Sequence, residues 1–334
     1  MIPKRIIISR ADSIGDVVLT LPMAGIIKEK YPDCKILFLG RTYTKPVVRL
    51  SKHVDEFVNW DDLQKQKNIV EVFQALNADV IVHVFPNKEI ARLALKAKIP
   101  KRIGTKGRLF HFFTCNKKVS FSRRNSHLHE AQLNLKLLQP LNIDMSLTLA
   151  VLGSYYGFDK MMPLPEKLKE LIHKDKKNII IHPKSKGSAK EWGLENFKKL
   201  IEILPQNEFQ IFISGTKDEG ELIGDSLPFE KSNVTSLIGK LSLDEFIRFI
   251  AAADGLIAAS TGPLHISAAL GKKAIGLFCP KKPIHPGRWR PVGKQAKFLV
   301  FDANCELCKN GKECSCIKRI TPKQVANLLY EISH

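Results

Sequence analysis

Arg5-Ile-Ile-Ile-Ser-Arg-Ala-Asp-Ser-Ile-Gly-Asp16 opens the chain with a β-branched run, a polar turn and the start of an amphipathic stretch. Three consecutive isoleucines, residues 6–8, have no polar face between them, so they read as a strand buried on both sides, as in a parallel sheet. Residues 15–29 carry helical spacing and close at Tyr31-Pro32-Asp33. A strand running through a short turn into a helix is the first half of a βαβ unit.

The alternation continues outward from there. Residues 35–39 and 79–84 read as strands, and 62–76, 88–97 and 127–139 as helices, the last stopped by Pro140. The pattern breaks over 141–177, where Gly153, Gly157, Pro163, Pro165 and a lysine-rich run intervene. It restarts with strands at 178–182, 210–214, 255–259 and 274–278 and helices at 194–204, 243–253 and 262–270. Ser242 with Glu245 has capping-box spacing, and Thr321-Pro322 opens a last helix. The expectation is an α/β chain: one α/β domain over residues 1–150, a linker over 151–177, and a second α/β domain over 178–334. A cleft would lie between the domains, and the final helix is free to pack back on the first. Ligands of open parallel sheets bind beyond the carboxyl ends of the strands, so the turns after strands are where chemistry is sought.

Composition narrows the class. Lys and Arg total 53 against 33 Asp and Glu over 334 residues, a net charge of +20, which predicts attraction to polyanions. At 44% hydrophobic and 26% charged residues the chain is globular rather than disordered. No apolar run approaches the ~18 residues of a membrane span. Before Ser9 and Arg10 stand only those isoleucines, short of the roughly 7–15 apolar residues of a secretory signal. These features predict a soluble cytoplasmic protein. No nucleic-acid recognition module is visible, and the charge is spread along the chain.

Four constellations can carry chemistry. In the turn at 9–16, Asp16 falls in the first turn of a helix, where the dipole favours its charged form. A carboxylate there either caps the helix with Asp12 and Ser13 or takes a proton from a hydroxyl nucleophile. No G-x-G-x-x-G dinucleotide fingerprint is present. The turn at 182–192 gathers Lys184, Ser185, Lys186, Gly187, Ser188 and Lys190, either a solvated basic loop or a cradle for a phosphate or pyrophosphate. At 258–265 a strand runs into Ser260-Thr261-Gly262 at a helix start. That is a tight turn or an anion site, with His265 one turn on as a packing residue or a ligand contact. Finally, Cys305-x2-Cys308-x5-Cys314-x-Cys316 places four thiols within one short loop. A structural zinc or iron, unligated thiols and disulfides are all compatible with that spacing, and four sulfurs would leave no open position for catalysis.

The opening RIIISRADSIGDVVLTLP (residues 5–22) resembles the start of the ADP-heptose:lipopolysaccharide heptosyltransferase family, glycosyltransferase family 9. So do PKRIG (100–104), HEAQLNLKLL (129–138), GSAKEWGLENF (187–197) and STGPLHISAALG (260–271), in order across both halves. The resemblance implies a GT-B fold, two Rossmann-like domains facing each other across a cleft, with the acceptor on the first domain and the nucleotide sugar on the second. It implies an inverting transfer of heptose from ADP-heptose that needs no catalytic metal, with Asp16 as general base. The acceptor would be an anionic lipopolysaccharide core (Kdo-lipid A or inner-core heptose) reached by peripheral contact with the inner membrane face. Donor contacts would come from Lys184, Ser185, Lys190, Glu219, Ser260, Thr261, Gly262, Leu264 and His265, and acceptor contacts from Ser13, Gly15, Arg123 and Arg124. Many relatives carry aspartate where this chain has Ser260, which keeps open another nucleotide sugar or a protein acceptor. A non-catalytic, polyanion-binding role is the distant alternative.

Overall fold

A computed structural model describes residues 2–123, 126–143 and 146–331. Among them are twelve strands in two six-stranded sheets. The first sheet has the order β3-β2-β1-β4-β5-β6, with β1 Arg5–Ser9, β2 Lys35–Gly40, β3 Glu56–Asn59, β4 Val80–His83, β5 Lys101–Thr105 and β6 Lys117–Val119. The second has the order β12-β11-β10-β7-β8-β9, with β7 Lys177–His182, β8 Phe209–Ile213, β9 Val234–Ser236, β10 Gly255–Ala259, β11 Lys273–Phe278 and β12 Ala296–Val300. All pairings are parallel. Numbered within each sheet, both read 3-2-1-4-5-6, the doubly wound dinucleotide-fold order.

The chain divides into two compact units, one ending at Met161 and the other beginning at Met162. In the first, Ile7, Leu37 and Ile81 pack against Phe73, Ile90 and Leu93 of the covering helices. In the second, Ile179, Ile211, Ile257 and Ile275 pack against Trp192, Phe197, Val325 and Leu329. These side chains are essentially inaccessible, each stabilising its unit by about 1.5–3 kcal/mol relative to exposure. Of the stretch expected as a linker, residues up to 161 pack on the first unit: Ser51 Oγ donates to the Tyr156 carbonyl (2.7 Å), and Tyr155 Oη to Glu29 (2.5 Å). The last helix, Pro322–Tyr330, lies on helix Leu194–Ile203 of its own unit, with Tyr330 edge-on to Phe209 (5.5 Å between centroids).

Other elements also differ from the sequence reading. The helix expected over 15–29 is two helices, Ile14–Val18 and Pro22–Lys30, because Pro22 has no N–H to continue the ladder. The one expected over 62–76 breaks at the polar run 64–68 into Trp60–Leu63 and Ile69–Gln74. Strands β3, β5, β6, β9 and β12 had no sequence signal. Four of them are sheet edges, short and half exposed, so no continuous apolar run is required of them.

Candidate active site

A 3-2-1-4-5-6 sheet has its switch point between its first and fourth strands, where the connecting helices diverge to opposite faces. In the first sheet that is between β1 and β4, which end level with each other at Ser9 and His83. Arg10 follows β1 directly. Its side chain is almost wholly buried and pairs with Asp12 (2.7 Å), Asp16 and Glu130 (3.4 Å), and its guanidinium lies 5.8 Å from the Phe85 ring after β4. Burial opposes the charge of Arg10, but its carboxylates outweigh it and hold the group above its ordinary pKa. Asp12 is pushed up to about 6, because burial there outweighs the attraction of Arg10 and Asp16 adds repulsion.

Ser13 occupies the N-cap of helix Ile14–Val18 but makes no capping bond; its hydroxyl donates to Asp16 Oδ2. Asp12 and Asp16 both bind Arg10, so the helix-capping reading of this turn is not what the structure shows. The Asp16 side chain is 18% exposed, its carboxylate held by Arg10 and Ser13, and Thr20 Oγ1 donates to the Asp16 backbone carbonyl (2.8 Å). A positioned, partly exposed carboxylate is the geometry of a general base.

Two acceptor expectations change. Arg123 is already engaged: it pairs with Glu130 and donates to the Val84 carbonyl (3.1 Å) and Asn134 Oδ1 (3.0 Å). Its guanidinium is therefore oriented by the scaffold. Gly15 is buried in the turn, and Arg124 lies outside the described residues. Arg10 and Glu130, the centre of the network, were not singled out in the sequence; a lone arginine after a strand gives no signal until its three carboxylates converge on it.

The second sheet repeats the arrangement. Strands β7 and β10 pair His182 with Ala258, so the loop at 183–192 and the turn at 260–262 leave adjacent strand ends. Thr261 caps helix Gly262–Ala269 yet makes no capping bond, and its Oγ1 is buried without a partner. A buried hydroxyl without a hydrogen-bond partner at a helix N-terminus has the chemistry of an anion-binding turn. Leu264 and His265 are buried in the first turn of that helix, while Ser260 is half exposed.

The basic loop is organised by an acid that the sequence reading passed over. Glu191 accepts from Lys184 Nζ (2.5 Å) and from the backbone and hydroxyl of Ser185 (both 3.0 Å). Lys184 and Ser185 therefore hold the loop's shape. Lys186 and Gly187 take positive φ, +47° and +78°, at its tip. Lys190, half buried, makes no ion pair among the described residues. Glu219 is likewise committed: it completes a capping box with Thr216, accepting the Thr216 N–H (2.8 Å). The Thr216-x-x-Glu219 spacing was the signal for that role.

The four-cysteine loop converges. All four Sγ atoms lie within 4.8 Å of one another, with Cys305–Cys314 at 3.3 Å and Cys308–Cys316 at 3.4 Å. A tetrahedral ion with sulfur at ~2.3 Å spaces its ligands about 3.8 Å apart, so the set fits one ion. All seven cysteines are free thiols. Burial pushes Cys316 up to about 12 and Cys308 higher still, whereas the Cys316 backbone N–H lowers Cys314. Cys308 and Cys316 belong to the second unit's core, where Trp192 Nε1 donates to the Ile320 carbonyl (2.8 Å). The cysteine loop is thereby tied to the residue that ends the basic loop.

The family model "Glycosyltransferase family 9 (heptosyltransferase)" matches residues 71–318, most of the chain. Lipooligosaccharide heptosyltransferase 2 of Campylobacter jejuni is 26% identical over 96% of both chains. Among solved structures, E. coli ADP-heptose LPS heptosyltransferase II superposes with a TM-score of 0.75 at 17% identity over 98% of both chains. E. coli heptosyltransferase WaaC with ADP gives 0.72 at 18% identity over 98% of this chain and 100% of the other. The GT-B fold is common to them.

Proposed function

The chain belongs to glycosyltransferase family 9, the heptosyltransferases, and on that premise we propose that it transfers heptose from ADP-heptose to a lipopolysaccharide-core hydroxyl with inversion, Asp16 acting as base. The donor half rests on one observation, the buried and unpartnered Thr261 hydroxyl at the N-terminus of helix Gly262–Ala269. That hydroxyl and the N–H groups of Gly262 and Leu264 would hold the diphosphate, Pro263 having none, with Lys190 as an uncommitted cation of the neighbouring loop. Charge grows on the diphosphate as the glycosidic bond breaks, so these donors stabilise the transition state more than the ground state.

On the acceptor side, Asp16 would take the proton of the attacking hydroxyl. Ser13 and Arg10 hold it in place, and Arg10 is held in turn by Glu130. The anionic acceptor fits a chain of net charge +20. Cys305, Cys308, Cys314 and Cys316 would hold a structural zinc or iron that contributes folding energy and leaves no position for substrate. Ser260 leaves the sugar-binding end of the donor site without a carboxylate at that position, which favours testing other nucleotide sugars beside ADP-heptose.

The test is turnover of ADP-heptose with a truncated core acceptor, followed by ADP release. Asp16→Asn should abolish transfer and leave ADP binding intact. Unchanged turnover would remove Asp16 as base, and turnover with a uridine sugar alone would remove ADP-heptose as donor.

A further inference from the structure

Helix Leu109–Thr114, between β5 and the edge strand β6, is built inside out. Its polar residues face in: His111 is fully buried with Nδ1 3.1 Å from the Thr105 backbone N–H, and Thr114 Oγ1 donates to the Phe110 carbonyl (2.8 Å). Its apolar residues face out. Leu109 is 78% exposed, Phe112 54% and Phe113 77%. Positions i, i+3 and i+4 share one face, so these three form a continuous apolar ridge. Gly104 makes room for this orientation from below, since a Cβ there would come within 2.7 Å of His111 Nδ1 and 2.8 Å of Cys115 Sγ.

The surroundings of this ridge are cationic. From Ile90 to His129 the chain has no Asp or Glu and eleven Lys or Arg, more than half of the net +20. Lys106 and Arg108 enter the helix and Lys117 leaves it, all exposed, and Lys118 Nζ lies 5.2 Å from the Phe112 ring. Helix Lys88–Lys96, packed alongside, exposes Leu95, Arg92 and Lys96. A protein core or an acidic protein partner can satisfy one of these features. An apolar ridge rimmed by these cations, in a stretch of sequence free of Asp and Glu, matches the apolar boundary and anionic headgroups of a bilayer surface.

We propose that this face docks the protein on an anionic lipid bilayer. Leu109, Phe112 and Phe113 enter the headgroup boundary, and Lys106, Arg108, Lys117 and Lys118 meet the phosphates. The inference does not depend on the donor or acceptor assignment, because it is read without substrate. The experiment is co-sedimentation of the full chain with phosphatidylglycerol vesicles and with phosphatidylcholine vesicles, without nucleotide or acceptor. Binding to the anionic vesicles should exceed that to the zwitterionic ones at least tenfold and fall as salt rises. Phe112→Ser with Phe113→Ser should lower it at least tenfold while leaving the melting temperature and turnover on a delipidated acceptor unchanged; Lys106→Ala with Arg108→Ala should weaken it less. Wild-type protein that ignores anionic vesicles would overturn the proposal. So would a Ser/Ser variant that binds them normally, or one whose only change is dissociation of a dimer seen by sedimentation.

Discussion

Replacing Thr261 by valine separates a ligand-binding hydroxyl from a structural one, because the two roles predict opposite signs. Thr261 Oγ1 is buried and unpartnered, and as N-cap it makes no side-chain bond to the helix. Valine keeps the shape and removes the unsatisfied group, so nothing in the ligand-free protein is lost. An unmade buried hydrogen bond costs about 1–3 kcal/mol, so the ligand-free variant should gain about 1 kcal/mol or more. The diphosphate would lose one hydrogen bond to a charged group, worth about 1.5–3 kcal/mol, so ADP should bind roughly 10- to 150-fold more weakly. Urea midpoints of the ligand-free protein and calorimetry with ADP measure the two effects, and Thr261→Ser should restore most of the affinity. A valine variant that is less stable by 1 kcal/mol or more and binds ADP normally would refute the reasoning: the hydroxyl would then be holding the turn.

Three further outcomes follow from the other sites. Glu130 is 1% exposed between Arg10 and Arg123, and neutralising a buried ion-pair partner costs about 3–5 kcal/mol. Since Arg10 keeps two carboxylates, Glu130→Gln should fall near the lower figure by urea unfolding, and a loss under about 1 kcal/mol would mean the network is solvated. The protein should purify with one zinc or iron per chain by metal analysis; Cys316→Ser should lose it, lower Tm and shift the emission of Trp192, whereas metal-free wild-type protein of equal stability would rule the site out. Asp12 and His83 should oppose each other in acid. Asp12 is raised to about 6, so the folded state holds its proton more tightly and stability rises as pH falls from about 6 to 4. His83 is lowered by burial to about 3, so the unfolded state takes up a proton below about 6.5 and stability falls over the same window. Asp12→Asn should therefore steepen the acid loss and His83→Leu flatten it, read as urea midpoints at pH 4.5 and 7; the reverse order would contradict both assignments.

The primary sequence alone determined the inner strands of the two parallel sheets, β5 excepted. Runs such as residues 6–8 and 179–181 are apolar on both faces and have few alternatives to a doubly covered strand. It also placed the candidate residues: the turns after β1, β7 and β10 carry Asp16, Lys190 and Thr261, and local residue order suffices to put them beyond strand ends. The four thiols were legible because they lie within one loop. Tertiary structure decided what depends on partners distant in the chain. Arg10 gains its meaning from Glu130, 120 residues away, and Arg123 is oriented by Val84, Glu130 and Asn134. Glu191 and Glu219 are set by local hydrogen bonds that close only once each loop is folded. The edge strands stayed hidden because they are short and half exposed, and the outward ridge at 109–113 for a different reason. Periodicity shows that one face of an element is apolar, but which way that face points is fixed by what packs beneath it, here His111 closing on Gly104.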